Sequence, residues 1–274
     1  MSFISLKFGR RHGPLQSLLK DALPRKSGRG FARVCSLAAG LIWSATPASA
    51  LVGPAQEPGA LARHVVMVLK RSGTAAGFCS GVVVAPDAVL TAAHCVAGEK
   101  DTRVHFKDAA GKPVLMEVAQ VARHPGYVAD GQKTRRVTID LALVRTRAPL
   151  PATFAPATPD GARTILVGDR FRIAGFGLTR EGDAASSGTL RRVDLKARAP
   201  LSQILLWTQE ANGAKAGACT GDSGAPIFSA DDTTVVAITA WANGGGSGQC
   251  GALTQGVLVG PQRAWVEDVL RGWR

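Results

Sequence analysis

The chain has 274 residues and a formal charge of +13, from 33 Lys and Arg against 20 Asp and Glu. Eight of the basic residues and a single acid, Asp21, fall in the first fifty positions, so the remaining 224 residues carry only +6. Those 224 hold no basic run beyond pairs such as Arg135-Arg136 and Arg191-Arg192, which reads as a solvated surface and excludes a nucleic-acid partner; they can bury a substantial core, as one large domain or two closely packed halves.

In chain order, residues 1–50 come first, with a basic n-region, the uncharged run "VCSLAAGLIWSA" and small residues at Ala48 and Ala50. This pattern predicts a secretory signal peptide cut after Ala50, hence an extracellular or periplasmic protein; the long n-region leaves an organelle transit peptide as the other reading. An apolar core of 12 residues is too short for a stable anchor, so no membrane attachment is expected once the leader is removed. From Val65 the runs "HVVMVLK", "SGVVVA", "AVLTAAH", "TRVHFK", "DLALVR", "RFRIAGFG", "TVVAITAWA" and "GVLVG" read as strands, broken by Gly, Pro and Asp. The proline-rich stretch 148–162 reads as a crossing between two β halves, and "NGGGSGQ" at 243–249 as a mobile loop. One amphipathic pattern closes the chain, over 261–273, with Trp265, Val266, Val269, Leu270 and Trp273 on one face to pack on the core. Many short strands with one closing helix predict an all-β barrel or sandwich.

Cys35 leaves with the leader. Cys79, Cys95, Cys219 and Cys250 remain, an even number in an oxidising context, which predicts two disulfides; no C-x-x-C spacing points to zinc, and neither metal nor cofactor is expected.

The stretch "ACTGDSGAPIF" sets Ser223 between Asp222 and Gly224. A serine hydroxyl is a poor nucleophile at neutral pH and needs a base, which in turn needs an orienting partner. "LTAAHC" offers His94 at the end of an apolar strand, and "TIDLALVRT" offers Asp140 at the start of another. An aspartate leading an apolar strand carries a desolvation cost unless it is hydrogen-bonded, and His94 would supply the bond. Taken singly, His94 and Asp140 read as a structural histidine and a turn residue; their order His, Asp, Ser changes the weighting.

The blocks "FCSGVVVAPDAVLTAAHC", "HPGY" followed by "DLALV", "AGFGLT", "CTGDSGAP", "AW" at 240–241 and "GV" before a terminal helix resemble the chymotrypsin-like (trypsin-like) serine peptidase family over nearly all of 51–274. The resemblance implies two packed six-stranded antiparallel β-barrels with a C-terminal helix, the first over about 51–155 and the second over about 156–274. It implies Ser223 as nucleophile, His94 as general base and then acid, Asp140 as orienting carboxylate, and the N–H groups of Gly221 and Ser223 as an oxyanion hole. With it come the pairings Cys79–Cys95 and Cys219–Cys250, one of three that four cysteines allow. The primary pocket would have Gly217 at its floor, with Trp241, Ala242 and Gly256 around it. None is charged, so cleavage after neutral, small-to-medium apolar residues of a polypeptide is expected. Leader removal would expose "LVGP", and the new amine of Leu51 would pair with Asp222; Pro54 departs from the family's second glycine there. Ala240 replaces the family's usual serine, leaving Asp140 to take a water. A monomer is expected. The opposing reading is a catalytically silent relative that kept the barrels; the intact His94, Asp140 and Ser223 favour the enzyme.

Overall fold

The computed structural model describes residues 51–274 except Pro54, Arg135, Ala162, Gly246, Ser247 and Gln249, with backbone alone at Gln132 and Lys133. The leader expected over 1–50 lies outside the described residues, as does part of the Gly-rich run 243–249.

The first barrel is built from β1 (Val65–Ser72), β2 (Ala75–Ala85), β3 (Ala88–Thr91), β4 (Thr102–Lys107), β5 (Pro113–Arg123) and β6 (Ala142–Thr146). All pairings are antiparallel, and the order β1-β2-β3-β6-β5-β4 closes through β1 and β4. A helical turn α1 (Gly131–Thr134) lies between β5 and β6. In the second half, β7 (Thr158–Pro159) is followed by β8 (Arg170–Gly175), β9 (Arg191–Ala197) and β10 (Leu205–Glu210). Then come β11 (Pro226–Ser229), β12 (Thr234–Asn243), β13 (Leu253–Leu258) and the closing helix α2 (Arg263–Gly272). The order β11-β8-β9-β10-β13-β12 closes through β11 and β12, giving a second six-stranded antiparallel barrel; β7 adds two residues parallel to β12.

The eight apolar runs fall on β1, β2, β3, β4, β6, β8, β12 and β13. None of these runs marks β5, β7, β9, β10 or β11. In β9 the side chains of Val193, Leu195 and Ala197 are buried while Arg192, Asp194 and Lys196 alternate with them outside, so no continuous apolar run marks the strand. Val266 of α2 is fully buried, and Trp265, Val269, Leu270 and Trp273 pack beside it on a core cluster that draws on both barrels. Edge-to-face contact of Trp265 with His124, at 4.8 Å between ring centroids, docks α2 against the chain after β5.

Leu51, Val52 and Gln56 contact the second barrel: Leu51 is fully buried in its core cluster, Val52 pairs with Gly217, and Gln56 exchanges two backbone hydrogen bonds with Arg192, of 2.9 and 3.0 Å. Among the described residues no helix is long and apolar enough to cross a membrane.

Candidate active site

β3 ends at Thr91, and a single helical turn, Ala93–Cys95, then carries His94. The Cys79–Cys95 disulfide pins that turn to β2. Asp140 stands two residues before β6, and the register Thr91 opposite Ala142 brings the two approaches side by side. Asp140 is 5% exposed, its Oδ2 lies 2.6 Å from His94 Nδ1, and its Oδ1 accepts the backbone N–H of His94 at 3.0 Å. A carboxylate on the Nδ1 side keeps the proton there and leaves the Nε2 lone pair for another partner. The turn is braced from below, where Lys70 Nζ donates to His94 O at 2.6 Å and Arg123 donates to Val96 O at 2.7 Å. Burial lowers the Lys70 pKa, helped by the nearby Arg123 charge and opposed by Asp140. Ala240 is buried, and with Asp140, Trp241, Val137 and Leu205 it lines a cleft of about 490 Å³.

The serine loop comes from the second barrel and presses on the first. Gly221 (φ +96°) and Gly224 (φ +80°) both adopt backbone that L side chains rarely enter, and neither has room for one. A Cβ on Gly221 would lie 2.3 Å from the Phe78 ring; one on Gly224 would lie 2.1 Å from Thr91 Oγ1 and 2.2 Å from Ser80 O. Ser223 is thereby held between β2 and the end of β3, and its carbonyl accepts the Ser80 N–H at 2.8 Å. The loop turns on Asp222 N–H to Cys219 O (3.0 Å) and Gly224 N–H to Thr239 O (2.7 Å). Among the described residues the N–H groups of Gly221 and Ser223 take no protein acceptor, and Ser223 Oγ makes no hydrogen bond to His94; catalytic hydrogen bonds are often long without substrate and tighten when it binds.

The family model described as Trypsin matches residues 52–259. The chain belongs to the trypsin family. Trypsin eta of Drosophila erecta is 28% identical over 223 residues, covering 73% of this chain and 83% of that protein. Among solved structures, the scabies mite inactivated protease paralogue S-I1 superposes with a TM-score of 0.64 at 20% identity, covering 81% of this chain and 99% of its own. Neuropsin of mouse brain gives a TM-score of 0.62 at 22% identity, with coverages of 79% and 98%. These two likenesses show the chymotrypsin-like fold. The trypsin family consists of serine proteases acting on polypeptides, and two disulfides, Cys79–Cys95 and Cys219–Cys250, fit an oxidising compartment.

In this trypsin-family chain Asp222 is fully buried, with Oδ1 accepting from Gly177 N–H (2.8 Å) and Oδ2 from Cys219 N–H (2.9 Å). Burial pushes its pKa up to about 7, against the opposing pull of those two bonds. Gly217 is buried over Thr254: a Cβ there would lie 2.8 Å from Thr254 Oγ1, which accepts the Ala218 N–H at 3.0 Å. Trp241 and Ala242 stand half-buried on β12 opposite Gln255 and Thr254. Gly256 faces the core instead, since a Cβ on it would meet Ala237 Cβ and Ile227 Cδ1 at 3.0 Å. Thr254 escaped sequence reading because nothing in "ALTQGV" marks the hydroxyl beneath Gly217. Ligand atoms of Cys79, His94 and Cys95 lie within 4.8 Å of one another, yet both sulfurs are committed to the disulfide and offer no thiolate to a metal. The other described histidines have partners of their own: His64 is buried with Nδ1 on Ala155 O, and His105 Nδ1 meets Val114 O.

Proposed function

We propose that the chain is a secreted serine endopeptidase that works through an acyl-enzyme. Ser223 attacks the scissile carbonyl, His94 Nε2 takes its proton and later returns it to the leaving amine, and Asp140 holds the imidazole and stabilises its charged form. The Gly221 and Ser223 N–H groups receive the oxyanion; losing one such donor typically removes about 3 to 4 kcal/mol of transition-state stabilisation. The observation that carries this reading is the His94 turn, gripped at both ring and backbone by a buried Asp140 and lying beside the serine loop. Because each oxygen of Asp140 already accepts a hydrogen bond from His94, the imidazole is held without a hydroxyl at position 240, and Ala240 is compatible with turnover.

Specificity follows from the absence of a charge at Gly217, Trp241 or Ala242: an arginine or lysine of the substrate would be buried there without a counter-charge. Neutral, small-to-medium apolar residues are the proposed preference, read out by a peptide-library cleavage profile; dominance of Arg or Lys at the cleaved position refutes it. Cleavage after Ala50 both releases the leader and frees the Leu51 amine, which pairs with Asp222 and orders the loop carrying the oxyanion donors. Burial of Leu51, the Val52–Gly217 pairing and a buried carboxylate whose donors are backbone N–H groups support this. The mature protein acts as a monomer outside the cytoplasm.

A fluorophosphonate probe tests the whole reading. Covalent labelling that disappears in Ser223→Ala is expected; a folded protein that does not label is the silent relative.

A further inference from the structure

Ser80 lies in β2, one position after the disulfide-bonded Cys79, and is fully buried. Four hydrogen bonds meet on this residue. Its Oγ donates to Gly221 O at 3.1 Å and accepts the Phe176 N–H at 3.1 Å. Its own N–H donates to Ser223 O at 2.8 Å, and its carbonyl accepts from Thr91 Oγ1 at 2.7 Å. One residue of the first barrel therefore grips both Gly221 and Ser223, whose N–H groups take no protein acceptor among the described residues.

The Oγ contact bears on Gly221 in particular. A glycine has no side chain to restrict its torsions, so the N–H on one side of its Cα can turn independently of the carbonyl on the other. At Gly221 the carbonyl side is tied by Ser80 Oγ, the N–H side by the Leu178 N–H on Thr220 O at 2.9 Å, and the Phe78 ring fills the place of a Cβ. With both constrained, the N–H has one direction. The Ser80 hydroxyl has its donor and an acceptor site in use, which is what a buried hydroxyl requires. Its partners, however, are the backbone of the serine loop and of Phe176, next to the Gly177 N–H that holds Asp222.

We infer that Ser80 is a positioning residue for the oxyanion hole: its hydroxyl holds the Gly221–Asp222 peptide, fixing the carbonyl side of Gly221 so that the residue keeps its N–H aimed at the developing oxyanion. This rests on the serine-peptidase reading of the site. A buried hydroxyl that only fills space would lower stability on removal and leave transition-state binding alone, whereas a positioning hydroxyl lowers kcat.

The experiment uses the protein beginning at Leu51, with Ser80→Ala, Ser80→Thr and, as a remote buried-hydroxyl control, Thr146→Val. Kinetics are read on a peptide p-nitroanilide, and affinity on a peptide trifluoromethyl ketone, whose adduct carries the oxyanion. Ser80→Ala is expected to lower kcat by roughly 10- to 100-fold with KM within about twofold, and to weaken the ketone by a similar factor. Ser80→Thr, which keeps the hydroxyl, recovers most of kcat, and Thr146→Val loses thermal stability alone. A Ser80→Ala protein with kcat and ketone affinity within about twofold of the unmutated protein overturns the inference, as does an equal loss in Ser80→Thr. If Ser80→Ala does not fold, Ser80→Gly removes the same hydroxyl without a Cβ and is judged by the same measurements. Failure of the unmutated protein to label with a fluorophosphonate refutes the peptidase reading itself; labelling with unaltered kinetics in the Ser80 variants refutes only the role of Ser80.

Discussion

Gly224 has no room for a side chain, because its φ of +80° disfavours one and a Cβ there would lie 2.2 Å from Ser80 O. Backbone cannot move aside as the end of a long side chain can, so Gly224→Ala forces the serine loop away from β2. We expect a loss of about 2 kcal/mol or more in stability, measured by thermal unfolding, together with loss of probe labelling. The triad variants separate differently. Ser223→Ala and His94→Ala should each cut peptide hydrolysis by several orders of magnitude with little change in unfolding temperature. Asp140→Asn should also be severe, since an amide in contact with His94 Nδ1 favours the tautomer that protonates Nε2. Near-wild-type hydrolysis by Ser223→Ala would remove that residue from the nucleophile role.

The elements that position the site are short and depend on cross-links between them. The turn Ala93–Cys95 has three residues, too few to hold His94 by its own hydrogen bonds. The Cys79–Cys95 disulfide closes a loop of 15 intervening residues around β2 and β3, worth about 3 kcal/mol in the loop-entropy account. Replacing both cysteines with alanine should therefore lower the unfolding free energy by roughly that amount and reduce kcat more than it raises KM. An unfolding midpoint in denaturant that does not shift would show that the hydrogen bonds from Lys70 and Arg123 suffice to hold the turn.

In the proposed activation, Asp222 is the group through which the N-terminal segment would act on the serine loop. In the chain that continues upstream of Leu51 its pKa is raised to about 7, above an unfolded value of about 3.9. A raised carboxyl pKa means that its contribution to stability is fully present below about pH 4 and is lost as pH rises through about 7. Once the Leu51 amine is free, pairing would favour the carboxylate and remove that loss. The amine's own pKa would then rise above about 7.7 to 8.0, so its stabilisation holds below that range and fails only as pH climbs through the raised value. Unfolding temperatures from pH 4 to 9 should fall early for a chain with one extra residue before Leu51 and late for a chain beginning at Leu51, with activity following the second. Parallel profiles and equal activities would return 51–56 to a simple packing role.

The proposed chemistry is legible along the chain because each candidate block is local. "TAAHC", "DLALV" and "CTGDSGAP" each place one functional side chain among residues chosen by their immediate neighbours, and the apolar runs mark eight strands by composition alone. Strands such as β9 were hidden by the outward charges of a half-exposed sheet, where period two replaces an apolar run. What folding alone revealed are contacts between distant parts of the chain. Ser80 meets Gly221 across 141 positions, Leu51 joins the core of the barrel that follows it, and Thr254 supplies the hydroxyl beneath Gly217. Each depends on barrel closure and on the face one barrel turns to the other; no local propensity encodes that choice, because it is made by which side chains fill the shared interior.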